Sequence, residues 1–226
     1  MRVLRRNGYG RTMRRAVLFD VVGTLFDVAP LQRRLRGSGF DAWFERLLHS
    51  ATSLTLAGRF EPFADIAAST LKTTIARNGL SADADEVLTL LQELPADDEA
   101  VAAVELLDSS GVLVGALTNS GERQTQKLLE AAGLAERIAD VVSVEEVELY
   151  KPHPAVYRHA AERLGVEARA ITLIAAHAWD VVGAKEAGLD AIWIDRTERE
   201  WPFPKGKPRR VAHGLLEAAE LALAKR

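Results

Sequence analysis

The sequence predicts a doubly wound α/β fold with a helical insertion after its first strand. Short apolar runs of strand length recur along the chain, and segments with helical spacing separate them. From Pro30 to about Pro95, by contrast, only helical patterns occur.

The strand-like runs are "AVLFDVV" (16–22), "VLVGALT" (112–118), "ADVVSV" (139–144), "AITLIAA" (170–176) and "AIWID" (191–195). A strand covered by helices on both faces has no solvent side, so it reads as an unbroken apolar run rather than as an alternation. Between the runs lie "GERQTQKLLEAAGL" and "PAVYRHAAERLGV", which complete βαβ units and imply a parallel, Rossmann-like sheet. Gly133, Gly165 and Gly188 each follow a helical pattern, where a left-handed cap is wanted. The insertion holds "DAWFERLLHSATSLTLAG" and "DADEVLTLLQEL". Because it interrupts the sheet after the first strand, it should form a cap over that strand's C-terminal end. The expected division is a core of 16–28 and 96–226, a cap of 29–95 and a lead-in of 1–15.

That lead-in, "MRVLRRNGYGRTMRR", carries six arginines and no acid. A secretory signal would follow its charges with an uncharged apolar stretch, whereas this run soon reaches Asp20. It reads as a disordered arm, or as sequence upstream of a true start at Met13. A targeting or anion-binding arm is the functional alternative.

Composition narrows the classes of partner. The 226 residues are 48% hydrophobic and 27% charged, enough for a sizeable core, and the formal net charge of −3 leaves no nucleic-acid footprint. No apolar run has the length needed to span a bilayer. The chain has no cysteine, so disulfides, thiol nucleophiles and thiolate metal sites are excluded, and a cytoplasmic location is expected. Neither nucleic acid nor membrane is an expected partner.

In open α/β sheets, ligands bind outside the carboxyl ends of the strands. Asp20 ends the first run, Thr118 and Asn119 end the second, Lys151 follows the third in "LYKPHP", and Asp180 lies beyond the fourth in "AAHAWD". Taken singly, each has an ordinary reading: a turn former, a residue beside a helix cap at Ser120, a surface charge, a cap. Four strand ends converging on one place point instead to a site.

Through "FDVVGTLFD", "LTNS", "YKP" and the acidic fourth loop, in that order, the chain resembles the haloacid dehalogenase superfamily. The resemblance implies a Rossmann-like core with a helical cap, and a nucleophilic aspartate at Asp20 that forms a covalent intermediate. A carboxylate is a competent nucleophile when donors hold it in line with the reacting atom, and Thr24, Thr118 and Asn119 are candidate donors. Lys151 would balance the charges of Asp20 and Asp180.

Phosphatases of the superfamily place a second aspartate two residues after the first, to protonate the leaving alcohol. Here that residue is Val22. Their fourth loop also carries paired acids that hold magnesium, and here Ala176 stands where the first would be. Halide needs no proton to leave and is stabilised by hydrogen-bond donors alone. The nearest resemblance is accordingly to the (S)-2-haloacid dehalogenases, through "FDVVGTLFDV", the segment Trp43 to Phe63, "YKPHPAVY" and "AWDVVGA". It implies attack of Asp20 on the α-carbon of a small organic acid. Hydrolysis of the ester follows by water activated near Asp180 and Lys151, with no metal and no cofactor. Thr24, Thr118, Asn119 and Tyr157 would position nucleophile, carboxylate and leaving group, and a homodimer is compatible with the resemblance. A magnesium-dependent phosphatase with His177 as acid, and a non-catalytic binding protein, are the alternatives.

The chain departs from that pattern in the cap, where Phe44 replaces an arginine that helps bind carboxylate or halide. Arg46 points elsewhere on a helix, and Arg59 in "GRF" is the candidate substitute. Ala175 and His177 replace the serine and asparagine expected in the fourth loop, so His177 is a candidate to bond the carboxylate or to act as base. Trp43, Phe44, Phe60 and Phe63 have two readings, cap core or the wall of a pocket over Asp20. Trp179 and Trp193 are expected in the core, and His49, His153, His159 and His213 show no metal-ligand spacing.

Overall fold

A computed structural model describes residues 15–36 and 38–224. The Arg-rich lead-in therefore lies, except for Arg15, outside the described residues. The chain runs β1 (Ala16–Asp20), α1 (Ala29–Arg34), α2 (Ser38–Leu56), α3 (Phe63–Asn78), α4 (Ala84–Gln92) and α5 (Ala100–Ser109). It continues β2 (Leu113–Thr118), α6 (Glu122–Ala131), β3 (Asp140–Ser143), α7 (Pro154–Leu164), β4 (Ile171–Ala175), α8 (Ala178–Glu186), β5 (Asp190–Ile194), β6 (Arg210–Ala212) and α9 (Leu215–Leu223).

Among the described residues the strands form one parallel sheet in the order β3-β2-β1-β4-β5-β6. Successive strands step away from β1 on one side and then, after β3, on the other. The chain reverses at β1, and a crevice opens there at the carboxyl ends of β1, β2 and β4. Asp20 is the last residue of β1 and pairs with Leu117 in β2, so the reversal places the nucleophile candidate in the crevice.

The central strands β1 and β4 are buried along their whole length, which is why they read as unbroken apolar runs. Gly133, Gly165 and Gly188 take positive φ just past their helices, as the cap pattern requires. The sixth strand was not among the runs read from the sequence. It is three residues long, half-buried, and starts with Arg210, so it carries neither an apolar run nor a readable alternation.

Helices α1 to α4 occupy the insertion, and among the described residues no strand lies between Pro30 and Pro95. They pack on one another through Phe40, Trp43, Leu47, Ile66, Leu71 and Val87, all buried. Trp43 belongs to this interior, its indole N–H bonded to the Ala67 carbonyl and to Thr70 Oγ1 at 3.2 Å each. Tyr150, beyond β3, ties the insertion to the sheet. Its hydroxyl donates to the Glu61 carbonyl at 2.7 Å, its N–H to Thr55 Oγ1 at 3.0 Å, and its ring stacks on Phe60. Burial, and the acids Glu145, Asp65 and Glu61 nearby, raise the Tyr150 phenol, so the hydroxyl stays a donor.

Candidate active site

Asp20 is anchored on both carboxylate oxygens. Lys151 Nζ donates to Oδ1 at 2.6 Å, and Thr24 Oγ1 donates to Oδ2 at 2.7 Å. The Thr24 hydroxyl in turn accepts from the Ala176 N–H at 3.0 Å, which locks the loop after β1 to the loop after β4. His177 Nδ1 lies 3.1 Å from Asp20 Oδ2. Lys151 also donates to Asp180 Oδ2 at 2.7 Å and to the Leu117 carbonyl at 3.1 Å. Its own N–H is held by Asn119 Oδ1 at 3.1 Å. One ammonium thus bridges two carboxylates, all three side chains being buried.

Burial alone would raise the Asp20 carboxyl, but the Lys151 charge and the His177 hydrogen bond outweigh it and hold the group well below the ordinary aspartate range. Asp180 goes the other way. Its complete burial and the Asp20 charge raise it against the pull of Lys151. Lys151, despite burial, is raised by Asp180 and Asp20 together and stays an ammonium. The nucleophile candidate is therefore the more firmly ionised of the two carboxyls, consistent with a role in attack.

A cavity of about 20 Å³, open to the centre of a water molecule, reaches Asp20. Its polar side is Thr118, Asn119, Ser120 and His177, and its apolar side is Val22, Phe44, Leu48, Phe63 and Trp179. Phe44 and Leu48 come from α2 and Phe63 opens α3, so the insertion supplies three of the five apolar wall residues. Phe44 lies 5.5 Å from the His177 ring between centroids, and Trp179 stacks on that ring at 5.3 Å.

The structure brings Asp20, Thr24, Lys151, Asp180, Thr118, Asn119, His177 and Phe44 together. Two candidates are placed otherwise than expected. Arg59 is exposed and pairs with Glu61 at 3.0 Å, because the turn after α2 aims it at solvent, so it does not replace the missing cap arginine. Tyr157 is fully buried behind Asp180, to which its hydroxyl donates. It orients that carboxylate rather than touching a substrate. Trp193 is buried as expected, but Trp179 is not a core residue: the first turn of α8 carries it onto the cavity wall, its ring 5.6 Å from Lys151 Nζ. Phe63 lines the cavity, while Phe60 packs on Tyr150. Leu48, Ser120 and Val22 also line it. Only their place on strand-end loops or on the inward face of α2 marks them.

The donor set does not fit a magnesium ion. Magnesium wants near-octahedral oxygen ligands, and here an ammonium fills the space between the two carboxylates while Val22 and Ala176 offer no side-chain oxygen. Among the described residues, no group of three His, Asp or Glu side chains is placed to hold a metal.

The chain matches the family model of haloacid dehalogenase-like hydrolases over residues 14–188. It is 29% identical over 219 residues to (S)-2-haloacid dehalogenase 1 of Pseudomonas sp. (strain CBS-3), covering 92% of this chain and 96% of that protein. A crystal structure of an L-2-haloacid dehalogenase superposes with a TM-score of 0.88 at 28% identity, covering 94% of this chain and 100% of that one. A dehalogenase crystallised in an intermediate complex gives 0.86 at 26% identity, covering 95% and 99%.

Proposed function

This chain belongs to the haloacid dehalogenase-like hydrolase family, and from that membership we propose that it hydrolyses short 2-haloalkanoic acids at the carbon–halogen bond, with Asp20 as nucleophile and without a metal. The observation that carries the reading is the Lys151 ammonium set between Asp20 and Asp180 at 2.6 and 2.7 Å, at a cavity whose Val22 lacks the acid an alcohol leaving group needs.

Asp20 attacks the α-carbon, its carbon–oxygen bond forming as halide leaves with the bonding electrons. Lys151 and Thr24 hold the carboxylate in place for that displacement. Thr118, Asn119 and Ser120 offer donors to the substrate carboxylate or to halide, and Phe44 and Trp179 give the carbon chain an apolar wall. Water then cleaves the ester and returns Asp20.

Residues 29–95 act as a cap on a core of 16–28 and 96–226, a division supported by the cavity walls that α2 and α3 supply. Among the described residues no helix is long and apolar enough to cross a membrane. The reaction belongs in the cytoplasm, which the absence of cysteine suits. A homodimer is the expected assembly, to be checked by sedimentation.

The test is chloride release from (S)-2-chloropropionate with and without EDTA, beside phosphate release from a panel of esters. We expect chloride release that EDTA leaves untouched and Asp20→Asn abolishes. In heavy-oxygen water, the first turnover should label Asp20 itself. Phosphate release that needs magnesium would sink the reading.

A further inference from the structure

Both Asp180 oxygens are engaged. Its Oδ2 accepts from Lys151 and its Oδ1 from the Tyr157 hydroxyl, its side chain is fully buried, and neither Asp180 nor Lys151 lines the cavity. A water in the cavity therefore does not face the carboxylate assigned above to activate it. Apart from Asp20, the one titratable side chain on the cavity wall is the His177 imidazole, and it touches Asp20.

We propose that His177 is the base that takes a proton from the water that hydrolyses the Asp20 ester, a role that rests on the dehalogenase reading above. In the resting enzyme a carboxylate offers only lone pairs, so Nδ1 carries the proton and donates to Oδ2. Alkylation of Asp20 removes the negative charge that fixes this tautomer. The neutral ring then carries its proton on Nε2 and presents the Nδ1 lone pair to water beside Asp20 Cγ, within reach through one water. Water oxygen bonds to Cγ, its proton moves to His177, and the carbonyl electrons shift to oxygen. Collapse restores the carbonyl, breaks the bond from Cγ to the alkyl oxygen, and the departing alkoxide takes the proton from the imidazolium. A 2-hydroxy acid leaves, and Asp20 loses its remaining proton to solvent.

The surroundings of the ring suit this role. Phe44 and Trp179 fix its plane, and Gly23 gives it room: a Cβ on Gly23 would lie 2.8 Å from His177 Cε1. His177 is the N-cap residue of α8, yet its side chain makes no capping bond. Glu198 takes that duty from the segment after β5, accepting from the Ala178 N–H at 3.0 Å, which leaves the imidazole for Asp20. The charged groups around the ring are Asp20 from β1, Lys151 behind it, Asp180 on the same helix and Glu198 at its start.

The experiment is stopped-flow halide release with (S)-2-chloropropionate on the wild type, His177→Asn and His177→Gln, with intact-mass analysis of each protein. We expect both variants to release one halide per chain at close to the wild-type rate. They should then stall about a hundredfold or more below wild-type turnover, with the substrate ester on Asp20 visible by mass. Added imidazole should restore turnover to His177→Ala. Equal slowing of first and later halides, with no ester accumulating, would reduce His177 to a positioning residue and overturn the proposal, as would wild-type turnover in both variants. A wild type that releases no halide from any 2-haloacid would instead overturn the dehalogenase reading, and this base with it.

Discussion

At the scale of single residues, the site is a problem in charge balance. Two carboxylates buried side by side repel, and Lys151, bonded to both, does most to make their joint ionisation tolerable. Replacing Lys151 by Met, which keeps the length of the chain but not its charge, should abolish halide release and lower stability by about 3 to 5 kcal/mol, read from urea midpoints at neutral pH. The pH dependence has a definite sign. Because the folded-state value of Lys151 is raised, its contribution is complete below the ordinary 10.5 and is lost as pH climbs through the higher folded-state value. Asp20, depressed, contributes above the ordinary 3.8 and loses that share as pH falls. The alkaline loss of stability should therefore shrink in Lys151→Met, and an unchanged alkaline limb would refute the assignment. Asp20, Lys151 and Asp180 were legible in the sequence only jointly, because each alone has an ordinary reading and it is the convergence of strand ends that singles them out. Tyr157 and Arg59 were misjudged because direction is a property of the fold. Tyr157 turns inward from α7 onto Asp180, and Arg59 leaves α2 on a turn whose nearest acid, Glu61, is two residues on.

Among the elements, α8 concentrates the chemistry in its first turn. His177, Trp179 and Asp180 occupy four consecutive positions with Ala178, and the helical twist sends the imidazole and indole to the cavity while the carboxylate faces Lys151. No periodicity read from "AAHAWD" separates these directions before the helix start is known, which is why Trp179 looked like core. The start itself is set from a distance. Glu198 accepts from the Ala178 N–H and from the Trp193 indole at 3.1 Å, placing an anion at the positive end of the helix. Glu198→Ala should cost about 1 kcal/mol, as the loss of a cap does, and should also slow turnover by loosening His177. Loss of stability with turnover intact would show that the cap and the imidazole are uncoupled. A second tie holds the other side of the crevice: Arg196 donates to the Gly23 and Thr24 carbonyls at 3.1 and 2.7 Å and pairs with Asp97. The five long strands were legible from their buried runs, whereas Glu198 and Arg196 were not, since their partners lie far away in sequence.

For the molecule as a whole, the cavity is walled from both sides of the crevice, and the side chains of Phe44, Leu48 and Trp179 bound the room beside Asp20. Acids of two or three carbons should be turned over best, and activity should fall as the alkyl chain lengthens past the room left by Phe44, Leu48 and Trp179. Leu48→Ala should raise kcat/KM for four- and five-carbon 2-haloacids relative to chloropropionate, since shortening the wall opens space where the longer chain must go. An unchanged ranking would mean that chain length is discriminated elsewhere.

Tyr150 and Lys151 are neighbours in sequence with opposite allegiances. The first is bolted to the end of α2 through Thr55 and to the turn after it through Glu61, the second to Asp20 and Asp180. One peptide link therefore joins the contact that holds the helices over the cavity to the counter-ion of the nucleophile, and the roof and the charge beneath it share a single piece of backbone.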